Sequence, residues 1–235
     1  MFFFKEKFPA FYRYQGRKII KKLSNANLNL LKEYYCQYSI DREIIEIHKS
    51  DNRLEKTKFC KNQFEIVNLE IGFGDGEFLI KNAISKPEEL FIGSEVYING
   101  ISKVLKKIID YKIKNILLSN LNSFYLLKAL PFNSIDNLII INPDPWIKKK
   151  HHKRRLINFE NIKLLKDIIK SKNSIFITTD SISYLNDIKN IYLDNKNYLG
   201  KINMKILSNK DKYYGISRYQ RKAIEKGGKI YQITI

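Results

Sequence analysis

From residue 64 onward the chain alternates short apolar runs with longer stretches of helical spacing. Five runs are rich in β-branched or aliphatic residues and bounded by Gly, Asn, Pro or Asp: Ile66–Ile71, Leu90–Val96, Asn115–Ser119, Leu138–Asn142 and Ser174–Thr179. They predict strands. The stretches Glu77–Ile84, Ile98–Tyr111, Ser123–Leu130 and Asn158–Lys170 predict helices. Strand and helix alternating at this spacing predicts a Rossmann-like α/β fold with a mostly parallel sheet. The strands are apolar along most of their length, which fits a sheet covered by helices on both faces. Two later runs, Lys201–Leu207 and Lys229–Ile235, predict closing strands, antiparallel at the C-terminus, with a hairpin as one way to join them. Residues 1–60 show no clear period. They predict a basic, partly mobile N-terminal extension to a single domain over 61–235. Within the extension, Arg13–Lys18 is basic and aromatic, which suits either phosphate contact and base stacking or a solvated tail.

Composition adds bounds to this pattern. A chain of 235 residues that is 44% hydrophobic can bury a substantial core. No apolar run approaches the roughly 20 residues needed to span a bilayer, and Met1–Phe8 is too short for a secretory signal. A cytoplasmic protein without a membrane partner is expected. Cys36 and Cys60 are the only cysteines, and no metal-ligand spacing surrounds them or His151 and His152. No bound metal is expected, and the cysteines read as free thiols, most simply as buried filler. Lys+Arg exceed Asp+Glu by 43 to 24, a net charge of +19. Compositional drift would scatter lysines along the chain. It does not account for Lys148–Arg155, where six of eight residues are Lys or Arg and the other two are His. That density calls for a polyanionic partner.

The first predicted strand runs into Gly72-Phe73-Gly74-Asp75-Gly76 and then a helix. The glycines permit a sharp turn and close approach of a ligand to the backbone. A dinucleotide fingerprint would place a third glycine where Glu77 stands, and Glu77 would put an anion where phosphates sit. S-adenosylmethionine has no phosphate and carries a cationic sulfonium, so nearby carboxylates such as Glu70 are tolerable or useful. Glu95 ends the second strand, where an acidic residue suits ribose hydroxyls, and Asn122 follows the third, where an amide suits an adenine edge.

The fourth strand runs into Asn142-Pro143-Asp144-Pro145-Trp146 and then the basic run. Two prolines fix the backbone on either side of Asp144. A carboxylate held rigidly at the end of a central strand reads as a site, against the alternative of a plain turn with Trp146 in the core. Guanine N7 keeps a lone pair at neutral pH, so methyl transfer to it needs alignment and exclusion of water rather than a base. Asp144 can accept hydrogen bonds from guanine N1–H and N2–H and offset the charge that develops on the ring. Lys148 and its neighbours suit phosphate contact, and Trp146 suits stacking on a base.

These motifs resemble those of the bacterial tRNA (guanine-N7-)-methyltransferases, a class I S-adenosylmethionine-dependent family that acts on the variable loop of tRNA. The resemblance covers roughly 64–235, with a weaker echo in Arg13–Lys18. It rests on Glu70–Gly74, Gly93–Val96, Thr179-Asp180, Ser217–Arg221 with Gly227, and above all Pro143–Arg155. It implies cofactor contacts at Glu70, Gly72, Gly74, Glu95, Asn122 and Asp144. It implies substrate contacts at Lys148, Asp180, Ser217, Arg218, Tyr219 and Gln220, with Asp144 the catalytic candidate. Three positions depart from the family pattern: Asn122 for Asp, Ser217 for Thr and Gln220 for Glu. Asn and Ser can make similar hydrogen bonds, whereas Gln220 removes a carboxylate expected near the guanine. The resemblance leaves the assembly at monomer or homodimer. Two alternatives stand beside it: methylation of an exocyclic amine, because Asn142–Trp146 loosely matches an Asn-Pro-Pro-aromatic turn, and a basic tRNA-binding protein without catalysis.

Overall fold

The computed structural model describes residues 23–50, 53–54, 64–170 and 174–235. Arg13–Lys18 and Cys60 lie outside them. The chain forms two compact units that divide between Pro131 and Phe132.

In the first unit three strands, β1 (Val67–Ile71), β2 (Leu90–Ser94) and β3 (Ile116–Ser119), form a parallel sheet in the order β3-β2-β1. β1 and β2 are buried at every position, including the polar Asn68 and Glu70 of β1 and Ser94 of β2. The crossovers carry α3 (Glu77–Ser85) and α4 (Ile98–Asp110). On α4, Ile101, Val104, Leu105 and Ile108 recur at helical spacing and face a core that also takes Leu79, Phe91 and Leu118. α5 (Ser123–Ala129) follows β3, capped by the side chain of Asn122.

The described part of the expected extension is also folded into this unit. α1 (Asn25–Tyr38) and α2 (Asp41–Ser50) precede the sheet. Leu31 and Tyr35 of α1 join the α4 core cluster. The α1–α2 connector lies along β3: Ser39 bridges Leu118, and the Ile40 amide donates to the Leu118 carbonyl at 3.0 Å. Arg53 donates to the Leu130 carbonyl at 2.6 Å, closing the end of α5. Cys36 is a free thiol, as expected, but it is exposed rather than buried filler.

In the second unit β4 (Asn137–Ile141) and β5 (Ile175–Thr179) run parallel, and β7 (Tyr231–Thr234) lies antiparallel to both β5 and β6 (Asn203–Ile206). The expected closing strands therefore pair, but the chain between them contains α9 (Arg218–Glu225), so they are not joined by a tight turn. α6 (Phe159–Ile168) connects β4 to β5. α7 (Ile182–Asp194) and the one-turn α8 (Lys196–Leu199) connect β5 to β6. The basic run forms a 3-10 turn over Lys149–Arg154. Among the described residues no helix is long and apolar enough to cross a membrane. None of their His, Cys, Asp and Glu side chains group as a metal would require.

Candidate functional site

The residues singled out in the sequence divide between the units. Those expected to hold the cofactor are in the first, apart from Asp144, and those expected to hold the substrate are in the second.

In the first unit the glycine loop leaves β1 with Gly72, Gly74 and Gly76 all at positive φ (76°, 57° and 69°), a conformation glycine adopts without the cost other residues incur. Space also selects glycine nearby. A Cβ at Gly100, in the first turn of α4, would lie 2.2 Å from the Gly74 carbonyl oxygen, so the helix and loop touch through bare backbone. Gly100 carried no signal in the sequence, because nothing local marks it.

Glu95 holds the loop. One carboxylate oxygen accepts from the Gly74 amide at 2.8 Å and the other from the Tyr97 amide at 2.9 Å. The sequence reading gave this carboxylate to ribose hydroxyls. In the structure it clamps the glycine loop to the start of α4. Asn122 likewise uses its side-chain oxygen to cap α5, accepting from the Phe124 amide at 3.0 Å.

Glu70 differs from both. It sits in β1 beside the loop, 4% exposed, and its Oε2 is buried without a hydrogen-bond partner. Burial, and secondarily the charge of Glu95, pushes its carboxyl up to about 8. An unpartnered buried carboxyl is costly, and it is the feature a cationic ligand would complete. The residues therefore fit S-adenosylmethionine: Glu70 would face positive charge, and Gly72 and Gly74 would allow close backbone approach.

In the second unit the ends of β4 and β5 carry a polar cluster centred on Asn142. Asn142 has φ +46°. Its amide nitrogen donates to Asp180 at 3.3 Å, and its side-chain oxygen accepts from Thr178 Oγ1 at 2.9 Å and Gln220 Nε2 at 3.2 Å. Gln220 also donates to Thr178 Oγ1 at 2.9 Å, and its oxygen accepts from the Ile216 amide at 3.1 Å. Ser217 caps α9, accepting from the Gln220 amide at 3.2 Å. Gln220 was expected to contact substrate. It is 0% exposed and spends its amide tying α9 to the strand ends. The exposed faces of α9 and β5 instead present Arg218, Tyr219 (70% exposed) and Asp180. Gln220→Ala should lower stability by about 2 kcal/mol, because it strands Thr178, Asn142 and the Ile216 amide. Urea denaturation measures this.

The turn after β4 has a hidden brace. Asp144 is exposed, and Trp146, at φ +42°, is half-buried rather than in the core. The Arg154 guanidinium lies 5.1 Å from the Trp146 ring centroid, and His151 meets the ring edge-on at 5.8 Å. Arg155 was counted with the phosphate-binding run, yet it is 2% exposed. Its Nε donates to the Pro145 carbonyl at 2.7 Å. Nη1 reaches the Ser183 carbonyl and Asp187, and Nη2 reaches Ser183 Oγ at 3.0 Å. It also stacks 4.8 Å from the Tyr184 ring. Lys148, Lys149, Lys150 and Lys153 are the exposed cations of the run.

A family profile described as "putative methyltransferase" matches residues 65–233. A tRNA (guanine-N(7)-)-methyltransferase of Wolbachia pipientis is 34% identical over 80% of this chain and 82% of its own length. One of Buchnera aphidicola is 31% identical over 90% and 86%. A bifunctional methyltransferase of Rickettsia prowazekii is 40% identical over 89% of this chain, which spans only 41% of that longer protein. Among solved structures, the 16S rRNA methyltransferase KamB superposes with a TM-score of 0.57 at 14% identity, covering 78% of this chain and 94% of its own. A 30S ribosomal A1408 methyltransferase from an uncultured bacterium superposes with 0.53 at 21% identity, over 78% and 94%. At these identities the superpositions show a shared methyltransferase fold.

Proposed function

This chain belongs to the family of the tRNA (guanine-N(7)-)-methyltransferases, and on that premise we propose that it methylates guanine N7 in the variable loop of tRNA. The observation that carries the reading is the turn after β4: Asp144 is exposed between two prolines and braced from beneath through the Pro145 carbonyl. S-adenosylmethionine supplies the methyl group as an electrophile. Glu70 and the loop at Gly72 and Gly74 hold its cationic part, and Glu95 keeps that loop in shape and accepts from ribose hydroxyls. Asn122 borders the adenine.

Asp144 accepts from guanine N1–H and N2–H, so that N7 presents its lone pair, and its charge offsets the positive ring that forms. No proton is lost from N7, so no general base is required. Lys148 and Arg218 bind phosphates, Tyr219 and Trp146 offer stacking surfaces, and Asp180, oriented by Asn142, accepts from substrate. Gln220 and Ser217 act by fixing α9. The net charge of +19 supports a polyanionic substrate.

Incubation with S-adenosylmethionine and unmodified tRNA should yield 7-methylguanosine on nucleoside analysis. Asp144→Ala should lower the rate by roughly 100-fold or more while cofactor affinity changes far less. Product at adenine N6 would instead support exocyclic-amine chemistry. Salt-dependent tRNA binding with no product and no heat of cofactor binding would leave only an RNA-binding protein.

A further inference from the structure

The first unit contains a buried network that begins outside the residues matched by the family profile, which start at 65, and reaches into them. Its centre is Asp41, 8% exposed, at the start of α2. One carboxylate oxygen accepts from Ser119 Oγ at 2.6 Å. The other accepts from Tyr35 Oη at 2.7 Å and from the Asn120 amide at 3.1 Å. Its own amide donates to Ser39 Oγ at 3.1 Å. Burial raises the carboxyl above its ordinary range, and the hydrogen bonds it accepts act against that rise.

Both strand-end residues that Asp41 holds in turn hold Glu95. The Glu95 amide donates to the Ser119 carbonyl at 2.9 Å, and Asn120 Nδ2 donates to the Glu95 carbonyl at 2.8 Å. The peptide units on either side of the Glu95 Cα are therefore fixed by the same two residues. The Glu95 carboxylate then reaches the Gly74 and Tyr97 amides. A continuous path of hydrogen bonds runs from Tyr35 and Asp41 through Ser119 and Asn120 to Glu95 and the glycine loop.

We propose that Asp41 is a positioning residue for the cofactor site: the α1–α2 pair sets the main chain of Glu95, and through it the glycine loop. Asp41 touches no cofactor atom in this scheme. A carboxylate suits the place because three donors converge on it, and it offers acceptors only. The cost of burying it is offset by those three donors and by the specificity of the register they impose. The N-terminal helices thereby become part of the cofactor-binding apparatus rather than an appendage for RNA. This inference rests on the proposed use of S-adenosylmethionine.

The test combines two readouts on the full chain. Asp41→Asn turns one acceptor into a donor. Tyr35→Phe removes the hydroxyl from which Asp41 accepts and serves as the milder variant if the first does not fold. Hydrogen exchange without cofactor reports the Gly74 and Tyr97 amides directly. Both should exchange roughly tenfold faster in Asp41→Asn, with a smaller increase in Tyr35→Phe, while amides of β4 and β5 are unchanged. Calorimetric titration should show S-adenosylmethionine affinity weakened roughly tenfold and tRNA affinity unaltered. In an Glu95→Gln background, Asp41→Asn should add little further loss, because the path is already cut. Unchanged exchange at Gly74 and Tyr97, or losses that simply add in the double variant, would overturn the proposal. If the wild-type protein gives no heat with S-adenosylmethionine, the proposed function fails, and with it the link to a cofactor, whatever the exchange data show.

Discussion

Arg155→Lys should cut methyl transfer roughly 100-fold while the protein remains folded and still binds S-adenosylmethionine. The reason is the geometry of the guanidinium. Arg155 reaches the Pro145 carbonyl with Nε and the Ser183–Asp187 pair with Nη1 and Nη2, all from one planar group. A lysine keeps the charge but has one nitrogen on a flexible stem, so it cannot satisfy Pro145 and Asp187 together. The charge will follow the carboxylate, and the Pro145 carbonyl will lose its donor. Asp144 immediately precedes Pro145, so loss of the anchor at the Pro145 carbonyl frees the turn that carries its carboxylate. A displacement near 1 Å at a reacting group can cost about 100-fold. Arg155→Ala goes further: it leaves Asp187 without its buried partner and opens a hole beside Tyr184, with an expected loss of about 3 kcal/mol. Single-turnover rates and calorimetric affinity separate the two effects. A wild-type rate for the lysine variant would mean that the turn holds itself through its prolines alone.

The brace also shows what sequence reading can and cannot reach here. The strands from β1 to β5 were legible because each is a short run rich in aliphatic or β-branched residues with a breaker at its end, and α4 because its buried positions recur at helical spacing. α1 was not legible, because only Leu31 and Tyr35 of its fourteen residues are buried. α7 buries only Tyr184 and Ile188, and α9 only Gln220, so neither carries a broad apolar stripe. In the site, residue type revealed which groups carry charge and which turns are rigid. It did not reveal which charges are used internally. Arg155 is indistinguishable from Arg154 by type and spacing, yet one is buried under the turn and the other lies against Trp146. Gln220 read as a lost carboxylate at the substrate surface, but the position is interior, so the change from Glu alters how α9 is tied down. Asn142, the hub of that arrangement, stood in the sequence as the last residue of a strand. Its role comes from partners on β5 and α9, which no local pattern brings to it.

Glu70 gives the second large effect, and its sign follows from burial. With its carboxyl pushed up to about 8, the cofactor-free protein holds Glu70 mostly protonated at neutral pH. The carboxylate needed to face a sulfonium must then be formed when the cofactor binds. Below pH 8, binding should release a proton from Glu70, and affinity should rise with pH by up to tenfold per unit as the ionised fraction grows. Calorimetry in buffers of different ionisation enthalpy counts that proton. Glu70→Gln should abolish this contribution to the proton release and weaken binding by roughly 100-fold, since a neutral amide cannot match a buried charge. The same substitution should have the opposite effect on the empty protein. A carboxyl raised in the folded state supports stability below its ordinary value of 4.5, and that support is lost as pH rises toward 8. The loss amounts to roughly 1.4 kcal/mol per unit over that window. Cofactor-free Glu70→Gln should therefore melt higher than wild type at pH 8 and at the same temperature near pH 4. Saturating S-adenosylmethionine should reverse the order at pH 8, because only the wild-type carboxylate gains its partner. A glutamine variant that binds the cofactor as tightly as wild type would place the positive charge elsewhere and leave the buried carboxyl as a purely structural cost.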